Sequence, residues 1–142
     1  MLMYPFPGFH NIYNEIKTMF YECLKLSNQE SQKQYYIECW LNVYNPTDYI
    51  DWHSHCKPEH NTWFGIYCIN VEPSKTTFDF PDVDGYIDVH GTNNLLVMLK
   101  GDENLHRTWP WEYPTPRITV AFNIVPNDSI DTAQRLNHWI PI

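Results

Sequence analysis

Glycine is scarce in this chain, with 5 among 142 residues, and none of the five belongs to a Gly-rich loop able to cradle a phosphate. A P-loop or a dinucleotide fingerprint is thereby excluded. Nor is there a Gly-x-Ser-x-Gly elbow, so nothing points to a hydrolase built on one. Basic residues are few: 9 Lys and Arg stand against 17 Asp and Glu, for a formal charge of -8. No surplus of cations is left to neutralise phosphates, which argues against a nucleic-acid partner. No apolar run approaches the ~20 residues that span a bilayer. Met1-Leu2-Met3-Tyr4 also lacks the basic and apolar regions of a signal peptide. No membrane partner and a cytoplasmic location are the expectations. The four cysteines, Cys23, Cys39, Cys56 and Cys68, form no Cys-x-x-Cys, so a zinc knuckle is not indicated and burial is expected for most of them. Cys56 stands apart because it follows His55 directly, and a thiol so placed can be oxidised or can join the imidazole as a ligand if a metal is held there.

What the chain has in quantity is apolar and aromatic side chains, 43% and 16% of residues, enough for one core in a single domain over 1–142. Phe9, Ile12, Tyr13, Ile16, Met19, Phe20, Cys23 and Leu24 recur at helical spacing and predict an amphipathic helix over 9–26, laid against a sheet. A polar connector, 27–34, follows. From Tyr35 the pattern changes to short segments rich in Tyr, Trp, Val and Ile, parted by Pro, Gly and Asn. Eight strands are expected, at 35–44, 49–53, 63–71, 76–80, 85–89, 94–99, 104–109 and 117–125. The fold class that suits them is mainly β: a cupin-like jelly roll, or double-stranded β-helix, over about 35–125 with the helix packed on one sheet.

Within that frame Asp51-Trp52-His53-Ser54-His55 is the most informative segment. On an extended strand Asp51, His53 and His55 project from one face, and imidazole and carboxylate are ligands for first-row divalent metals. The strand order would bring His53 and His106 to one open end, with Arg117 beside them. Arg117 to Ile124 alternates strictly: Ile118, Val120, Phe122 and Ile124 share one face, and Arg117, Thr119, Ala121 and Asn123 the other. A guanidinium and a hydroxyl turned inward would suit a carboxylate. Asn42, between Trp40 and Tyr44 on one face, needs a hydrogen-bond partner if it points inward. Gly65, Tyr67 and Ile69 share a face of the third expected strand. His60 follows Lys57-Pro58-Glu59, a turn that would carry it away; His10, His90 and His138 have no partner pattern. Trp109-Pro110-Trp111-Glu112-Tyr113-Pro114 would form either a platform at the rim of the site or packing on the helix.

In this order, from about Trp40 to Ile124, the residues resemble the 2-oxoglutarate and Fe(II)-dependent oxygenases. Trp40-Leu41-Asn42-Val43, Phe64-Gly65-Ile66-Tyr67 and Arg117 to Ile124 are similar to blocks of a subgroup in which a Trp-x-Asn strand precedes a His-x-His. The resemblance implies Fe(II) held by His53, His55 and His106, with 2-oxoglutarate as co-substrate gripped by Arg117 and Thr119. Asn42, Tyr67 and Asn123 are further candidates for contact with it. It implies hydroxylation of a small molecule, a protein side chain or a modified base, the acidic charge counting against the last. One departure is plain: the family has an acid where this chain has His55. Three arrangements stay open, namely an all-histidine face, a carboxylate supplied by Asp51, or a degenerate site; the first is preferred. Three neutral imidazoles would leave the full +2 charge on the ion. The rival reading keeps the metal without the oxygen chemistry, as a cupin-like isomerase or an inactive ligand-binding domain, and a non-enzymatic interaction domain is a third. Oligomeric state is open, a homodimer among the options.

Overall fold

The computed structural model describes residues 7–29, 33–55, 62–101, 104–130 and 139–142. Helix α1 spans Pro7–Leu26, beginning on a proline whose missing N–H costs nothing in the first turn. It stops where Asn28 turns left-handed at φ 52 and Ser27 Oγ caps the Cys23 and Leu24 carbonyls. The expected segment 9–26 thus gains two residues at its start.

Seven longer strands follow: β1 (Tyr35–Tyr44), β2 (Trp63–Asn70), β3 (Ser74–Asp79), β4 (Tyr86–Gly91), β5 (Leu96–Lys100), β6 (Leu105–Thr108) and β7 (Arg117–Pro126). A two-residue strand, β8 (Ile140–Pro141), comes last. They form two sheets, β5-β2-β7-β1-β8 and β4-β3-β6, with antiparallel pairing throughout. The larger sheet carries α1 on its outer face, where Ile16, Phe20 and Leu24 meet Ile37, Trp63, Phe122 and Ile124. Ile16, Phe20 and Phe122 are wholly buried. Burial of each such side chain contributes about 1.5–3 kcal/mol, so this seam holds the sheet rigid behind the site. Tyr13 and Tyr21 donate their hydroxyls to the carbonyls of Pro141 and Ile142, tying the helix to β8.

Expectation and structure part company in two places. The segment 49–53 is not a strand: only His53 forms a bridge, to His106 on β6. Asp51 competes with pairing by accepting the Trp52 amide on its own carboxylate at 2.8 Å, a local bond that bends the chain. The strand β8 was not foreseen, because two residues carry no periodicity.

Gly65 sets the fit between β2 and its neighbours. A Cβ there would lie 2.1 Å from the Val97 carbonyl oxygen and 2.5 Å from Phe122 Cζ. Backbone cannot yield as a flexible side chain can, so Gly65→Ala should cost about 1–3 kcal/mol of overpacking, read as a lower urea midpoint. A midpoint equal to wild type would contradict this register.

Candidate metal centre and its cavity

His106 lies on β6, pointing between the sheets. His53 is brought beside it by two backbone hydrogen bonds, His53 N to His106 O at 3.0 Å and His106 N to His53 O at 2.9 Å. The loop that carries His53 is braced from outside: the Arg107 guanidinium sits between the rings of Trp52, at 4.6 Å, and Trp109, at 4.4 Å. Trp109 donates its indole N–H to Thr77 Oγ1, and Trp111 exchanges backbone hydrogen bonds with Thr47 and Asp48. The Trp109 to Pro114 segment therefore packs on the smaller-sheet side, not on α1, and its open face forms a shallow groove with Ser74, Lys75 and His90.

His55 reaches the site from the loop beyond, its ring stacked against Phe64 at 4.9 Å and against His106 at 5.1 Å. Gly101 permits this, since a Cβ there would stand 3.1 Å from the His55 carbonyl oxygen. One potential ligand atom from each of His53, His55 and His106 lies within 4.8 Å of the others, the one such cluster among the described residues. Asp51 does not join it; its side chain is exposed and turned onto Trp52. Its contribution is made by backbone, for His53 Nδ1 donates to the Asp51 carbonyl at 2.8 Å, leaving Nε2 as the free nitrogen of that ring.

A single atom tests whether these residues suit a metal. His106 Nδ1 is buried and has no hydrogen-bond partner. Burial, reinforced by the neighbouring His53 and His55, holds the His106 pKa down to about 3, so the imidazole is neutral and keeps a lone pair. Burial and His53 likewise lower His55, with Asn123 partly opposing them. Neutral, clustered imidazoles with a buried orphan nitrogen are the donor set a divalent first-row ion requires. The same facts give a pH prediction. The unfolded chain takes up a proton at His106 near ~6.5, whereas the folded chain refuses it until about 3. This group therefore leaves stability unchanged above ~6.5 and lowers it as pH falls from there towards 3. Urea midpoints against pH should fall in that window and fall less for His106→Gln; identical slopes would contradict the buried neutral state.

The histidines line a cavity of about 80 Å³. Its walls are largely apolar: Trp40, Ile50, Phe64, Ile66, Phe78, Val97 and Leu99. At another part of the lining β7 presents Arg117 and Thr119, and β1 presents Asn42 and Tyr44, which the register sets directly opposite them. Arg117 is 4% exposed. Its Nε donates to Ser74 Oγ at 3.3 Å, and its guanidinium lies 4.9 Å from the centre of the Tyr44 ring. Burial pushes its pKa down, Tyr44 and Cys68 push it up, and a guanidinium keeps its proton regardless. Among the described residues no carboxylate pairs with it; the ion pairs found there are Lys33–Asp128 and Lys75–Asp88. Thr119 Oγ1 is likewise buried without a partner.

Two expected site residues fall elsewhere. Tyr67 is on the opposite face of β2, packed with Phe9 and Val120 beneath the helix, its hydroxyl donated to Asn94 at 3.0 Å. The pleat decides this, because Phe64 and Ile66 take the inward positions and leave 65 and 67 outward. Asn123 is on the inner side of β7 but does not line the cavity; its amide nitrogen donates to Glu38 at 2.9 Å. Residues that sequence reasoning passed over are Tyr44, Ser74, Phe64 and Phe78. Tyr44 was within reach, two positions from Asn42, whereas Ser74 meets Arg117 only through the fold. Cys56, His60 and His138 lie outside the described residues. Cys68 is buried, Cys23 and Cys39 half-buried, all three as free thiols.

Comparison with solved structures agrees with this architecture. The chain superposes on a Pseudomonas putida prolyl-4-hydroxylase with TM-score 0.54 at 17% identity, covering 65% of this chain and 54% of that one. It superposes on a 2OG-Fe(II) oxygenase-family oxidoreductase from Burkholderia pseudomallei with TM-score 0.56 at 10% identity, covering 68% and 48%. The chain shares the fold of these two proteins. The chain spans about half the length of these two proteins. No protein-family model matches it, and no curated protein does.

Proposed function

We propose that the chain is an Fe(II)- and 2-oxoglutarate-dependent oxygenase. The observation that carries the reading is Arg117, a buried cation with no carboxylate beside it among the described residues, opening on the same cavity as three clustered histidines. A buried charge without a partner is costly, and a ligand carboxylate is the partner that would relieve it. Thr119 Oγ1 adds an unpartnered hydroxyl alongside.

In this proposal His53, His55 and His106 hold the iron. Arg117 and Thr119 hold the far carboxylate of 2-oxoglutarate, with Asn42 and Tyr44 on the facing strand. The group so held supplies oxidation of a substrate C–H by O₂, coupled to decarboxylation of 2-oxoglutarate to succinate. The chain's own work is positioning and the exclusion of water. Phe64 and Phe78 flank the His106 ring at 5.1 and 5.6 Å and fix its plane, and the apolar wall keeps the cavity dry. The room available suits a short dicarboxylic acid, so the target presents its reacting carbon at the mouth. A small molecule or a protein side chain fits this, and the charge of -8 disfavours nucleic acid. No helix among the described residues is long and apolar enough to cross a membrane.

Purified chain with Fe(II) and O₂ should release succinate from 2-oxoglutarate slowly even without its target, and Arg117→Ala should not. Succinate at the rate of free iron would sink the oxygenase reading in favour of a metal-binding cupin.

A further inference from the structure

An imidazole bound to a metal through one nitrogen has a second, protonated nitrogen that must find a partner. For His53 that partner is the Asp51 carbonyl. We propose that Asn123 and Glu38 are positioning residues for His55: Asn123 offers its amide oxygen to the ring nitrogen facing away from the other two histidines, and Glu38 fixes the direction of that amide. The inference rests on the metal-binding reading above and assigns these two residues a part in it.

Glu38 and Asn123 face each other across β1 and β7. Asn123 Nδ2 donates to Glu38 Oε1 at 2.9 Å. A carboxylate only accepts, so the opposite rotation of the amide would set oxygen against oxygen; Glu38 thereby decides where Oδ1 points. That Oδ1 is buried and has no hydrogen-bond partner. On the other side of β7, Asn123 is opposed by Phe64, the ring on which His55 stacks at an interplanar angle of 14°. Trp40, two positions from Glu38 on the same strand face, stacks on His55 as well, at 6.2 Å. The imidazole therefore lies over the patch of sheet that carries the orphan oxygen. In this structure that oxygen makes no hydrogen bond to the ring. Site hydrogen bonds are often long until the ligand tightens them.

The test uses Co(II), followed by its visible absorption and by calorimetry, so that no turnover is needed. Asn123→Ala should weaken Co(II) binding by about 10–100-fold, the usual loss when an outer partner of a ligand histidine goes. Made in a His55→Ala background, the same substitution should have no further effect. The double change Glu38→Gln with Asn123→Asp should restore binding to wild-type strength or better, because the new amide donates across the strands and the new carboxylate accepts from His55. Nitrogen-15 spectra of the Co(II)-free wild type should place the His55 proton on one nitrogen alone, the one facing Asn123. Wild-type affinity in Asn123→Ala, an equal loss with and without His55, or two tautomers equally populated in the wild type would each overturn the assignment. Failure of the wild type to bind Co(II) at all would overturn the metal reading beneath it, which the variants distinguish.

Discussion

Replacing His106 with alanine should abolish tight binding of Fe(II), or of a surrogate such as Mn(II) or Ni(II), while leaving the chain folded. The site offers three donor nitrogens within 4.8 Å of one another and no fourth among the described residues, so no substitute can move in. The loss should exceed the 10–100-fold that removal of an outer partner costs. His106 is also the ligand least free to move, bridged to His53 by backbone and flanked by Phe64 and Phe78. His55→Asp should keep binding better than His55→Ala, because a carboxylate restores the donor and offsets part of the ion's charge. Asp51→Ala should stay close to wild type, its side chain being exposed and held by Trp52. Calorimetric titration at one metal per chain checks all four, and undiminished binding by His106→Ala would remove the site.

Much of this site was legible in the sequence for a physical reason: β1 and β7 obey the two-residue period of a strand. Strand β1 matched its expected bounds of 35–44, and the alternation of 117–125 correctly divided Arg117 and Thr119 from Phe122 and Ile124. His53 and His106 do meet as expected, but through an isolated bridge and not through the second strand that was expected to carry His53. Period failed where local chemistry took over. Asp51 was read as sharing a face with His53, but its carboxylate found the next amide instead of a metal. Tyr67, a candidate contact of the co-substrate only through the resemblance, packs under the helix instead, because Phe64 and Ile66 take the cavity side of β2. The brace of Trp52, Arg107 and Trp109 and the contact between Ser74 and Arg117 join residues far apart in the chain, so no window of sequence contains them.

The second large effect concerns Arg117. A guanidinium and a carboxylate in an apolar cavity form a charge-assisted, bidentate pair, and cutting one partner away costs roughly 2–5 kcal/mol, or about 30- to several thousand-fold in Kd. Arg117→Ala should lose 2-oxoglutarate by that factor and keep its metal affinity, since the histidines make no hydrogen bond to Arg117 among the described residues. Arg117→Lys should fall between, keeping the charge but not the planar fork or the Ser74 contact. Competition by succinate should weaken in parallel in both variants. Parallel loss of metal and co-substrate would instead mean that Arg117 supports the fold as a whole.

The most direct test of the account is an anaerobic calorimetric titration of 2-oxoglutarate into wild-type chain with and without Mn(II). The account predicts saturable binding at one molecule per chain that requires the metal. Binding indifferent to the metal, or none in its presence, would contradict it.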